Sequence, residues 1–162
     1  MSTLKVRDLM TTEVVTLSPK DTVKKATLKF AVDNISGAPV VDNRNHLLGI
    51  LSENDILGLI YSYQVKLDKQ DRDFALLDYA MDNIRDEDLE YLQKISDEIS
   101  NIKVEEIMTR SVLTTSPDET VSNVLRAMIS MGVNRLPVVE KGVVIGVISR
   151  ADIVFALYKR KV

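Results

Sequence analysis

The sequence predicts a mixed α/β (α+β) protein built from two β-α-β-β-α repeats, packed about a pseudo-twofold axis, with a helical insert between them. Three observations predict it. The phrase GILSENDIL (Gly49 to Leu57) returns as GVISRADIV (Gly146 to Val154). Earlier pieces return in the same order at a constant spacing. Between the copies runs a stretch with helical periodicity, no proline and one glycine, Gly58.

Each repeat opens with a short amphipathic turn, VRDLMT at Val6 to Thr11 and VEEIMT at Val104 to Thr109. A short extended piece follows, Val14 to Thr16 and Val112 to Thr114. Next comes Ser-Pro with an acid close behind. Ser18 and Ser116 suit a helix N-cap, Pro19 and Pro117 the first helical position, and Glu119 completes a capping box with Ser116. The helix predicted there carries Val121, Val124, Leu125, Met128 and Ile129 on one apolar stripe. Two β-rich runs follow, PVV and then LLGIL in the first copy, PVV and then VVIGVI in the second. Polar turns join them at Asp42 to His46 and Glu140 to Gly142. A second helix begins at Ser52 and at Ser149. The prolines Pro19/Pro117 and Pro39/Pro137 are each 98 residues apart, while Asp55 and Asp152 are 97 apart, so the second copy loses one residue in its turn. One copy alone would bury little; two would share a core. The boundaries read from this pattern are 1–57, 58–103 and 104–162.

The insert carries Phe74, Leu77, Met81 and Ile84, then Leu89, Leu92, Ile95 and Ile99, at helical spacing. It is read as a continuation of the helix from Ser52 plus one or two amphipathic helices. Those helices either pack on the core, or offer a dimer contact or the surface that reports ligand occupancy. Eleven acids against six bases give it a net charge of −5, leaving +2 for the repeats.

Composition excludes several function classes. The chain of 162 residues has a net charge of −3 and no basic stripe or aromatic platform, so no nucleic-acid partner is expected. No Cys means no disulfide or thiolate chemistry, and no Cys/His set suggests a metal. The only histidine, His46, falls in a polar turn, and no Walker-type loop is present, so no catalytic residue is proposed. No run is long enough to cross a bilayer, and MSTLKVRDLM lacks the apolar core of a secretory signal. A cytoplasmic protein is expected, without a membrane partner.

The M-T start, the V-x-T stretch ending at Thr16 and Thr114, the h-P-V-V strand and the G-h-h-S-x-x-D ending at Asp55 and Asp152 together resemble a tandem pair of CBS domains, a Bateman module. The likeness covers almost everything except the insert. It implies a regulatory binding module, not an enzyme, for adenosine-containing ligands such as AMP, ADP, ATP or S-adenosylmethionine. Such a ligand would alter repeat orientation or assembly and so control an unidentified protein partner. The resemblance also implies a homodimer. The alternative is a structural pair without ligand, serving dimerisation or scaffolding.

The S-x-x-D pieces have a bland reading as helix starts, with Ser52 and Ser149 capping and the acid three residues on completing a capping box. The resemblance adds that Asp152 and Asp55 accept hydrogen bonds from ribose hydroxyls, beside helix N-termini able to face a phosphate. It implies an adenine pocket from Val112, Thr114, Val133, Leu136 and Pro137 in the second copy, and Val14, Thr16, Ile35, Ala38 and Pro39 in the first. Ile35, Ala38, Val133 and Leu136 are equally plausible as plain core, and the V-x-T residues as an edge strand. Arg135 and Arg150 match phosphate-contacting positions, where the first copy has Gly37 and Glu53. The cleft marked by Asp152 is therefore expected to take a phosphorylated adenosine, and that marked by Asp55 to be weak, empty or suited to a ligand without anionic phosphates.

Overall fold

The computed structural model describes residues 3–70, 76–77 and 85–159. Its elements are α1 (Val6–Leu9), α2 (Val23–Asp33), β1 (Gly37–Val41), β2 (Leu47–Ser52), α3 (Glu53–Lys69), α4 (Asp86–Asn101), α5 (Val104–Ile107), α6 (Val121–Met131), β3 (Arg135–Glu140), β4 (Val143–Ser149) and α7 (Arg150–Ala156). The order within each repeat is the predicted helix, two strands and helix behind a short opening helix, with a helical region between the repeats and without the first predicted strand among the named elements.

Both hairpins form. β1 pairs with β2, and β3 with β4 antiparallel, Arg135 opposite Ser149 and Glu140 opposite Val143. Lys141 and Gly142 make the second turn with positive φ at both positions (51° and 82°), the mirror-image turn that suits strand twist. The first turn is longer. Asp42 Oδ1 accepts from the backbone N–H groups of Arg44 (2.8 Å) and His46 (2.9 Å), and Asn45 takes φ 66°. The predicted extended pieces, Val14 to Thr16 and Val112 to Thr114, form no strand; a single parallel bridge stands just after each, Leu17 with Val40 and Thr115 with Val138.

The helix starts after Ser-Pro differ from expectation. The caps are Thr22, accepting from Lys25 N at 3.1 Å, and Thr120, accepting from Asn123 N at 3.2 Å. Ser18 and Ser116 instead begin turns, and Glu119 Oε1 accepts from Thr120 N and Asn123 Nδ2. Tertiary pairing overrides the local signal, because the carbonyls of this segment accept from incoming backbone. On α6, Val121, Val124 and Met128 are buried, but Leu125 and Ile129 face out.

The described residues fall into two units. The first comprises Met1–Thr16, Val41–Gly49 and Arg110–Val162; the second, Leu17–Val40 and Ile50–Thr109. The opening turn of each repeat thus belongs with the body of the other. In the first unit, Val6 N donates to Glu119 O (2.9 Å), Arg7 N to Pro117 O (3.0 Å) and Val121 N to Leu4 O (3.0 Å), while Thr11 and Val147 exchange both backbone bonds (2.9 and 3.0 Å). Arg7 also pairs with Asp118. In the second unit, Val104 N donates to Asp21 O (2.8 Å), Glu105 N to Pro19 O (3.1 Å) and Val23 N to Ile102 O (2.8 Å), while Thr109 and Ile50 exchange both bonds (2.8 and 2.9 Å). Every bond in one set has its counterpart in the other.

A four-residue helix cannot persist alone. In α1, Asp8 reaches back to Lys5 N at 2.9 Å; in α5, Glu106 reaches back to Lys103 N at 2.6 Å. The larger stabilisation is burial. Val6 and Leu9 enter the core of the first unit with Val121, Val124, Met128, Leu136, Val138 and Ile148. Each such side chain contributes roughly 1.5–3 kcal/mol.

Described residues of the insert form one apolar cluster within the second unit. Leu67 at the end of α3 packs with Leu76 and with Leu92 and Ile95 of α4, flanked by Ile60, Tyr63, Tyr91 and Ile99. Tyr63 Oη donates to Glu98 at 3.0 Å. Leu77, expected on the apolar stripe, is exposed, and Leu76 takes the inward place. Phe74, Met81 and Ile84 lie outside the described residues.

Candidate functional site

In both units the S-x-x-D piece ends a strand and starts a helix. Ser52 and Ser149 are extended (φ −126° and −115°), so each hydroxyl points along the following turn as an N-cap. Asp152 Oδ2 accepts from Ser149 N (2.8 Å) and Ser149 Oγ (3.0 Å). Asp55 Oδ2 accepts from Ser52 N (2.8 Å) and Ser52 Oγ (3.1 Å). The capping reading therefore holds in both copies. It engages one carboxylate oxygen and fixes the carboxyl plane.

The other oxygen distinguishes the two. Asp55 Oδ1 accepts from Thr109 Oγ1 at 3.1 Å. Asp152 Oδ1 has no hydrogen-bond partner among the described residues. Both aspartates are half-buried. A carboxylate with one oxygen anchored and the other without a partner can accept from a neutral hydroxyl donor without losing its own support. Thr109 lies in the M-T pair that opens the second repeat. The sequence marked that pair as part of a pattern but attached no role to it. Its only signal was recurrence.

The arginines lie where β3 and β4 lead into α7. Arg135 is half-buried and opposite Ser149 in the strand register. Arg150 is exposed, and its backbone N–H donates to Asn134 O at 2.8 Å. Both thus flank the helix start that carries Asp152. In the second unit Glu53 N donates likewise to Ser36 O at 2.9 Å. A Cβ on Gly37 would meet Leu51 O at 3.1 Å, so β1 and β2 approach closely where Arg135 has its counterpart.

The adenine-pocket candidates divide. In the first unit, Val112 is half-buried, Thr114 exposed, Leu136 and Pro137 buried, and Val133 packs against the core. Leu136 is itself a core member. Thr115 N donates to Pro137 O at 3.0 Å, tying the V-x-T stretch to β3. In the second unit, Ala38 and Pro39 are buried and Ile35 half-buried. Val14 and Thr16, half-buried, belong to the first unit rather than with Ile35, Ala38 and Pro39.

The acids with displaced titration lie at the docking of the opening segments and in the first turn. Burial works against ionising Asp21, but bonds from Lys25 Nζ and Ser18 N, both 2.9 Å, outweigh it and hold the carboxyl below its usual range. Asn123 and the Thr120 N–H do the same for Glu119, as the His46 and Arg44 N–H groups do for Asp42. Among the described residues no cluster of His, Cys, Asp and Glu is arranged to hold a metal. No helix among them is long and apolar enough to cross a membrane. A surface recess along α4, lined by Glu87, Glu90, Tyr91, Gln93, Lys94 and Asp97, includes none of the residues above.

The family model of the CBS domain matches residues 6–62 and 104–159. The uncharacterized protein MJ1426 of Methanocaldococcus jannaschii is 31% identical over 94% of this chain and 90% of its own length. The chain spans only 41% and 38% of the next two curated relatives it matches. Among solved structures, CBSX2 of Arabidopsis thaliana, crystallised in complex with AMP, superposes with a TM-score of 0.70 at 24% identity, over 98% of this chain and 99% of that one. The CBS domain pair of protein MJ0100, in complex with 5-methylthioadenosine and S-adenosyl-L-methionine, gives 0.66 at 22% identity, over 99% and 100%.

Proposed function

The chain belongs to the CBS-domain family, and from that premise we propose that it is a regulatory, non-catalytic module that senses an adenosine-containing small molecule. The observation that carries the reading is Asp152. One of its oxygens is locked into the helix start at 2.8 and 3.0 Å, the other has no partner among the described residues, and Arg135 and Arg150 flank the same turn. A ribose diol donates to the open oxygen, and a phosphate meets the helix start and a guanidinium fork. AMP in CBSX2, and S-adenosyl-L-methionine with 5-methylthioadenosine in the MJ0100 pair, support adenosine as the shared ligand chemistry. With two arginines on its side, the Asp152 cleft takes a phosphorylated form, AMP, ADP or ATP. The Asp55 cleft, with Glu53 and Gly37 in their places, is the weaker.

Occupancy controls a protein partner by favouring one arrangement of the repeats or of their assembly. It shifts that balance only by its affinity difference between the two states. The assembly we propose is a homodimer. Leu57 and Tyr61, exposed on α3, recur as exposed Val154 and Tyr158 at the corresponding positions of the second repeat, so the chain offers the same apolar patch twice. Light scattering reads the mass directly.

Thermal shift against AMP, ATP, S-adenosylmethionine and GTP tests the sensing role. An adenosine ligand at a hundred times its Kd stabilises by about 2.7 kcal/mol, and GTP does not. In calorimetry, Asp152→Ala weakens AMP by roughly tenfold or more, and Asp55→Ala by less. Absence of any shift would leave a pair whose capping boxes are complete without ligand, serving as a scaffold. Equal loss from the two substitutions would refute the ranking of the clefts.

A further inference from the structure

We propose that Thr109 is a built-in competitor for the ligand of the Asp55 cleft: its hydroxyl occupies the carboxylate oxygen that a sugar diol needs. This deepens the reading above and rests on it. Asp55 Oδ2 is already engaged by Ser52 N and Oγ, so Oδ1 is the oxygen a ligand would use, and Thr109 Oγ1 donates to it at 3.1 Å. The hydroxyl is held there by more than its own bond. Thr109 exchanges both backbone hydrogen bonds with Ile50, two residues before Ser52, so its Cβ is fixed beside the helix start.

The duplicated chain supplies an internal comparison. Thr11 stands at the same position in the other unit and exchanges the same two backbone bonds, with Val147. It donates nothing to Asp152, whose Oδ1 has no partner among the described residues. The same scaffold thus has its hydroxyl engaged in one copy and not in the other. A diol arriving at Asp55 has to displace or share the Thr109 bond, while one arriving at Asp152 does not. Thr109 is a positioning residue that sets the affinity difference between the sites. It is not itself a ligand contact.

Val replaces the hydroxyl with a methyl of similar shape and keeps the β-branch and the backbone bridge. Calorimetry with AMP as probe, on the full chain in an Asp152→Ala background, isolates the Asp55 cleft. Thr109→Val is expected to tighten AMP there by about three- to tenfold, the net worth of one ordinary hydrogen bond that no longer has to be exchanged. Thr109→Ser, which keeps the hydroxyl, is expected to retain the original affinity. In the chain with Asp152 intact, Thr11→Val is expected to leave the stronger site unchanged. A Thr109→Val isotherm that is unchanged or weaker, with AMP still bound, overturns the competitor role and leaves the sensing function standing. AMP binding to no variant and not to the unsubstituted chain overturns both. Equal melting temperatures for the Val and Ser variants show that the affinity change is not a folding effect.

Discussion

Replacing Gly146 by alanine should weaken the docking of the opening segment of the first repeat on the body of the second. A Cβ built on Gly146 lies 2.9 Å from Met10 Sδ, 3.0 Å from Thr11 O and 3.3 Å from Met10 Cγ. The methionine can swing aside, since its thioether end is flexible. The Thr11 carbonyl cannot, because it accepts from Val147 N at 3.0 Å while Thr11 N donates to Val147 O at 2.9 Å. A Cβ contact of 3.0 Å with backbone oxygen must open by several tenths of an ångström, which lengthens that bridge. Overpacking of this kind costs about 1–3 kcal/mol. An unobstructed alanine in a strand would instead gain roughly 0.5–1 kcal/mol over glycine. Urea unfolding should therefore show a lower midpoint at unchanged slope, and heating a loss of about 2–4 °C per kcal/mol for a chain this size. Gly58→Ala is the control. Gly58 sits inside α3 with nothing within 4 Å of its Cβ, so the change should stabilise by roughly 0.5–1 kcal/mol. If Gly146→Ala matched or exceeded the unsubstituted protein, the close docking of Thr11 on β4 would be wrong.

Two more outcomes follow from the packing and the charges. Leu92→Ala, at a fully buried position between Leu67, Leu76 and Ile95, should cost about 2–5 kcal/mol in urea unfolding; a cost below 0.5 kcal/mol would mean that the α4 cluster adds nothing to the fold. Asp21 is held below its usual range in the folded chain, so its unfolded form binds a proton first. Its stabilising effect is complete above about pH 4 and is lost as pH falls through the lowered value. Asp21→Asn should lower stability at pH 7 and flatten the acid limb of the stability curve, and an unchanged limb would refute the role of the Lys25 and Ser18 bonds.

Much of the fold was legible because its signals are local. Lys141-Gly142 supplies the positive φ values that its turn requires, and Ser52 and Ser149 cap their helices with side chains that name the position. Asp55 and Asp152 stood out for the same reason. The Ser-Pro segments misled, because Ser116 with Glu119 is a good local capping box, yet the helix waits for Thr120. Glu119 O and Pro117 O are taken by Val6 and Arg7. In the insert, spacing found α4 but chose Leu77 over its neighbour Leu76, a one-residue ambiguity that only packing resolves.

By itself the sequence determined two copies of one pattern, the strand and helix order within each, and the acid at each helix start. Side chains carry that information over three or four residues. Tertiary structure alone decided that each opening turn joins the body of the other repeat, and that Thr109 reaches Asp55 while Thr11 leaves Asp152 open. The physical reason is that the docking runs through backbone N–H and C=O groups. Every residue but proline carries the same donor and acceptor, so no residue type announces which partner they will find.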